Sequence, residues 1–181
     1  MPTVFSHPAP ILALGLAAGN RVIPGRLLLA GVACSLLPDA DVVGFFNGIA
    51  YGDNLGHRGI SHSLVFAGFT GLVCLALAPL LHCKRLTALM VGIFAATTHI
   101  ALDAATSGGL GVAAFWPWAD GRYFLPWRPI RVSPLGIKAF FSARGVAVLY
   151  SEFLWIWLPC LTLGFSCFIL RKVWAKRQPK H

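Results

Sequence analysis

Leu64–Leu81, LVFAGFTGLVCLALAPLL, is an apolar run of 18 residues without a single charge. At 1.5 Å per residue a helix over it reaches about 27 Å, close to the roughly 30 Å of a bilayer's hydrocarbon core. Backbone polar groups in lipid must find partners within the protein, and an α-helix supplies them internally. Residues 86–105 are nearly as apolar, and the run over residues 146–170 is longer still. Two shorter apolar segments, residues 9–19 and 27–38, flank Arg21, Pro24, Gly25 and Arg26. They either span with snorkelling arginines or penetrate partway. The expected fold is therefore all-α, a polytopic helical membrane protein with about four to five transmembrane or membrane-embedded helices.

Composition agrees. Of 181 residues, 57% are hydrophobic and 12% charged, where a soluble domain carries about a quarter charged residues. A net charge of +9, from 15 Lys and Arg against 6 Asp and Glu, would suggest nucleic acid in a soluble protein. In a membrane protein it reads as contact with anionic lipid, so membrane lipids are the expected partners and nucleic acid is not. Cys34, Cys74, Cys83, Cys160 and Cys167 lie in or beside apolar stretches without a CxxC pair and read as small hydrophobes. The first basic residue, Arg21, follows the first apolar stretch. That order is not a signal peptide's, so the N-terminus is expected to be retained. No internal repeat or linker divides the chain, which reads as a single membrane-embedded domain over residues 1–181.

If all five segments span, Arg21, Arg26, Lys84, Arg85, Arg171, Lys172, Lys176, Arg177 and Lys180 fall on one side. Arg58, Arg122, Arg128, Arg131, Lys138 and Arg144 fall on the other. The positive-inside rule assigns the first, larger set to the cytoplasm. All six acidic residues then gather at or near the non-cytoplasmic face, together with His7, His57, His62 and His99.

Several of these have the spacing of a site. His99 and Asp103 lie one helical turn apart and share a face. They are either a structural pair or two ligands for a metal. A carboxylate at the centre of a spanning helix costs about 2.5–3.5 kcal/mol on insertion scales, which makes such residues functional candidates. Asp39 and Asp41, just past an apolar helix, either converge on a cation or cap a following helix. His57-Arg58-Gly59-Ile60-Ser61-His62-Ser63 directly precedes a spanning helix. Gly59 permits a tight turn, Ser61 offers an N-cap, and both imidazoles could return to one place. Glu152, six residues into the last apolar run, is buried and protonated, paired, or a ligand. Between Trp116 and Arg131 alternate Trp, Tyr and Arg residues, including Arg122 and Arg128, suit a headgroup belt or the grip of a phosphate. His82 sits with Lys84 and Arg85 at the opposite face and is left out.

The order of Ser6-His7, Pro38-Asp39-Ala40-Asp41, the His57 to Ser63 motif and His99-x-x-x-Asp103 resembles the YdjM-like membrane-bound metal-dependent hydrolases, over nearly the whole chain. The resemblance implies an inner-membrane metal-dependent hydrolase, in a family some of whose members belong to the DNA-damage response. That family is in turn distantly similar to the zinc phospholipase C and P1 nuclease group, which implies zinc and phosphate-ester hydrolysis. Carried onto this sequence, the metal ligands are His7, Asp39, Asp41, His57, His62, His99 and Asp103. Met1 does not match that group's N-terminal tryptophan ligand.

The expected function is hydrolysis of a phosphate ester, on a phospholipid or polyprenyl phosphate, at the outer surface of the inner membrane. Asp41 or Glu152 would take the proton as catalytic carboxylate, and Arg58, Arg122 or Arg128 would hold the phosphate. The rivals are a non-enzymatic membrane protein with a structural metal and an ion transporter using His99, Asp103 and Glu152. A transporter should show broken helices or inverted repeats near the midplane.

Overall fold

A computed structural model describes residues 1–133 and 140–177. Lys138 and Lys180, counted above for orientation, lie outside the described residues. Among the described residues five helices of ten or more residues form in chain order, α1 (Ala9–Ala18), α2 (Gly25–Leu36), α3 (Leu64–Leu81), α4 (Arg85–Ala104) and α5 (Ala143–Arg177), with a single helical turn over Val43–Phe46 between α2 and α3. Among the described residues there is no β-strand, only isolated bridges between Thr106 and Ile130 and between Val112 and Tyr123.

With 18, 20 and 35 residues, α3, α4 and α5 are long and apolar enough to cross a membrane. α1 has 10 residues and α2 has 12, so each reaches only about 15–18 Å. The chain is thus an all-helical membrane protein with three candidate spans and a shorter hairpin, α1–α2, packed against α5 and α4. Leu72, Leu80, Leu163, Phe165, Ile169 and Leu170 face outward. Such an apolar surface would be an aggregation liability in water and is a natural one in lipid.

The contact between α3 and α4 is made of small residues. A Cβ on Gly92 of α4 would lie 2.8 Å from the Cα of Gly71 on α3, so only glycine lets these helices come this close. Across the same contact the Thr70 hydroxyl donates to the Gly92 carbonyl at 3.2 Å. Close approach of this kind, with a hydrogen bond across it, is how helices hold together in lipid, where burial of apolar surface gives little drive.

The bundle has two chemically different ends. At one, Arg26 donates to the Leu80 carbonyl at 3.2 Å and lies 3.0 Å from His82 Nε2, while Arg171 donates to the Leu16 carbonyl at 3.3 Å. This end collects the α1–α2 turn, the α3–α4 turn and the end of α5. The opposite end collects His7, Asp39, the His57 to His62 turn, the end of α4 and Glu152. α5 changes to a π-turn over Phe153–Trp157, directly after Glu152. Pro159, which has no N–H, leaves the Trp155 carbonyl without its ordinary partner and relaxes the ladder there.

One local expectation is corrected. Ser61 does not cap α3; Ser63 does, its hydroxyl accepting from Phe66 N at 3.1 Å. The intervening turn of 3-10 helix, Ile60–His62, moves the helix start two residues on and frees Ser61 to donate to Asp41 at 2.6 Å.

Candidate metal centre

Four chain segments bring ligand-type side chains to one buried point. The last two turns of α4 carry His99 and Asp103, both fully buried. A 3-10 turn over Leu37–Val42, opened by Pro38 at the end of α2, turns Asp39 inward. The turn before α3 carries His62, and the segment before α1 carries His7. Gly59 makes the third segment possible, since a Cβ there would sit 2.0 Å from the Asn54 carbonyl oxygen.

A tetrahedral ion bound at about 2.0–2.1 Å separates its ligand atoms by roughly 3.3 Å, and the observed spacings lie around that value. His62 Nε2 is 3.0 Å from His99 Nε2, 3.2 Å from Asp103 Oδ2 and 3.7 Å from Asp39 Oδ1. His99 Nε2 is 3.6 Å from Asp39 and 4.0 Å from Asp103. One ligand atom from each of Asp39, His62, His99 and Asp103 fits within 4.8 Å of all the others. His7 closes the group, with Nε2 at 3.6 Å from Asp39 and 3.8 Å from Asp103 and its ring stacked on His99 at 3.8 Å.

Two further observations suit a cation. Both nitrogens of His7 and all four carboxylate oxygens of Asp39 and Asp103 are buried without a hydrogen-bond partner among the described residues. Buried polar atoms are nearly always satisfied, so a cluster of six such atoms asks for an occupant. The Nδ1 of His99 lies 2.7 Å from the Ser35 carbonyl. A carbonyl only accepts, so Nδ1 carries the proton and Nε2 offers its lone pair to the pocket, as metal-ligating histidines typically do.

A second group, Asp41, His57 and His62, shares His62 through its other nitrogen. Asp41 lies 2.7 Å from His57 Nδ1 and 3.2 Å from His62 Nδ1, and accepts from Ser61 Oγ and from the Arg58 backbone N–H. Burial alone would raise the Asp41 carboxyl, but the hydrogen bonds from His57 and His62 outweigh it and hold it below the usual range. Burial would raise Asp39 as well, but the neighbouring imidazoles of His62, His99 and His7 outweigh it and hold it low. Desolvation opposes the charged form of His62, yet the surrounding carboxylates of Asp103, Asp39 and Asp41 raise it.

The other candidates occupy different settings. Glu152, also buried, accepts from the Thr3 backbone N–H, from Thr3 Oγ1 at 2.6 Å and from Ser6 Oγ at 2.6 Å. It belongs to neither potential ligand group and instead anchors the segment that ends in His7. Arg58, fully buried, donates to the Gly108 and Leu110 carbonyls and to Thr106 Oγ1, with Nε 3.2 Å from Asp103. Arg122 donates to the carbonyls of His57, Tyr51, Gly52 and Asp53 and ties that loop together. Arg128 is exposed and stacks on Phe124, 4.7 Å from its centroid. Thr3, Ser35, Thr106 and Trp157, whose Nε1 donates to Ser6 at 3.1 Å, support the centre and had no signal in the sequence, because each acts through a partner 48 or more residues away.

Helices of membrane-spanning length around a buried His/Asp cluster define a polytopic membrane protein with a possible metal site at one end of its bundle. The chain belongs to the YdjM inner membrane protein family, whose model matches residues 1–175. It is 44% identical over 169 residues to the inner membrane protein YbcI of Escherichia coli (strain K12), covering 90% of this chain and 95% of that protein. No solved structure matches, and the likeness to the zinc phospholipase C and P1 nuclease group rests on ligand type alone.

Proposed function

We propose that this protein is a metal-dependent hydrolase of the inner membrane that cleaves a phosphate ester on a lipid-type substrate at the non-cytoplasmic face. The observation that carries the reading is the convergence of His7, Asp39, His62, His99 and Asp103, with six buried ligand-type atoms of His7, Asp39 and Asp103 left without hydrogen-bond partners. The mixed nitrogen and oxygen donor set suits zinc. A divalent ion held there would supply Lewis acidity towards water and a phosphoryl oxygen.

The surrounding residues take the remaining roles. Beside the cluster a cleft of about 420 Å³ opens, with Asp41 and Ser61 at its polar end and Ile49, Leu55, Ile60 and Phe66 along its walls. A polar end against the centre and apolar walls suit an amphiphile, its reacting group at Asp41. Asp41, the carboxylate that lines the cleft, receives a proton from the attacking water, and His57 behind it steadies the charge. Glu152 lines no part of this cleft and is given no proton-transfer role. Arg58 and Arg122 are engaged with carbonyls, so of the three arginines Arg128 remains to meet a headgroup. Asp41, itself held by His57, orients His62 through Nδ1.

The rival with a structural ion draws support from Arg58, since a fully buried guanidinium on Asp103 makes the cluster a tie between α4 and its loops. The transporter reading finds less, because the cluster sits at one end of the bundle. Turnover separates them. Detergent-purified protein is expected to release phosphate from a polyprenyl phosphate or a phosphorylated headgroup from a phospholipid, and a chelator or Asp41→Asn should stop it. In intact spheroplasts a membrane-impermeant chelator added outside should suffice. No chelator-sensitive turnover on either lipid class by metal-loaded protein would leave the structural reading standing.

A further inference from the structure

The basic end of the bundle holds a separate cavity of about 580 Å³, lined by Arg21, His82 and Lys84 and floored by Val22, Ala78 and Pro79. Arg26 reaches its edge through His82 at 3.0 Å. Among the described residues none of Arg21, Arg26 or Lys84 has a carboxylate partner, the one Arg–carboxylate pair being Arg58 with Asp103 at the other end. This follows from the sequence, since all six acidic residues lie towards the opposite end. The first turn of α4 borders the cavity through Lys84 and Thr87 with no side chain capping its N–H groups, which adds to the positive potential there.

We infer that this cavity binds the phosphate headgroup of an anionic glycerophospholipid, with Arg21 and Lys84 on the phosphate and the acyl chains running along the exposed α3 side chains. Position favours a lipid over a soluble anion. The apolar floor continues onto Leu77 and Leu80 of α3 and Leu86 of α4, all exposed, so a ligand seated here has an apolar path straight into the bilayer. Basic residues at a membrane surface attract anionic headgroups, each contributing roughly fivefold in affinity. The inference is independent of the hydrolase reading: it concerns the other end of the molecule and needs neither metal nor turnover.

Native mass spectrometry of the full chain in detergent, titrated with phosphatidylglycerol and with phosphatidylcholine, tests it. Wild type should bind phosphatidylglycerol preferentially. Arg21→Gln combined with Lys84→Gln should cut that preference by roughly 25-fold, while Lys172→Gln with Lys176→Gln, basic residues outside the cavity lining, should leave it nearly intact. Millimolar inorganic phosphate should not displace the lipid. Equal losses in both double variants would mean a diffuse basic surface and overturn the site, as would equal binding of the two lipids. Displacement by inorganic phosphate would make the occupant a soluble anion and overturn the lipid assignment. All the substituted side chains are exposed, and an unchanged unfolding temperature checks that the variants fold.

Discussion

Asp103→Asn is expected to abolish tight metal binding and to destabilise the protein by about 3–5 kcal/mol, the usual consequence of removing one partner of a buried ion pair. Both effects follow from one carboxylate. Its oxygens lie 3.2 Å from His62 Nε2 and 3.8 Å from His7 Nε2, and also 3.2 Å from Arg58 Nε. The amide keeps the size but not the charge, so the cluster loses an anionic ligand and a fully buried guanidinium loses its counter-ion. Elemental analysis reads the first effect and thermal unfolding in detergent the second. Adding Arg58→Met removes the orphaned charge, so the double variant should recover part of the lost stability and none of the metal. A single variant as stable and as metal-loaded as wild type would contradict both assignments of Asp103.

Glu152→Gln is expected to weaken metal binding 10- to 100-fold, as losses just outside a ligand shell typically do, without touching a ligand. Three donors converge on Glu152, all from Thr3 and Ser6. One amide oxygen cannot serve them as two carboxylate oxygens do, and its NH₂ group faces hydroxyls that must then turn round. The segment leading to His7 loosens, and the stacked His7–His99 pair loses its register. Thr162→Val, on the same helix but bonded only to its own helix carbonyls, serves as control and should bind metal like wild type. Equal metal affinity in Glu152→Gln and wild type would show that the anchor does not position His7.

The helices were readable from the sequence because in lipid an uninterrupted apolar run leaves few alternatives. The runs at residues 64–81, 86–105 and 146–170 correspond to α3, α4 and α5 within a few residues at most ends. The reach of α1 and α2 was not readable, since Arg21, Pro24 and Arg26 allow either a full span or a short hairpin, and packing against α4 and α5 decides it. Within the candidate site the sequence brought forward His7, Asp39, His62, His99 and Asp103, because ionisable groups are rare in such a chain and their cost in lipid marks them. Their neighbours were harder to assign. Whether a buried carboxylate meets imidazoles, as Asp103 does, or hydroxyls, as Glu152 does, depends on residues far away in the chain, 146 and 149 positions for Glu152. The arginines illustrate the same point: charge marks Arg58 and Arg122, but only the loop backbone folded around them shows that their terminal guanidinium nitrogens already have acceptors.

The central claim is that the cluster holds a metal ion, and elemental analysis of the wild-type chain purified without chelators tests it most directly. Zinc is expected at about one ion per chain, the content of a single four-coordinate site, retained through dialysis and lost in His62→Ala, which removes the imidazole shared by both ligand groups. Wild-type protein that carries no transition metal after purification, and takes up none when zinc is supplied, would contradict the account.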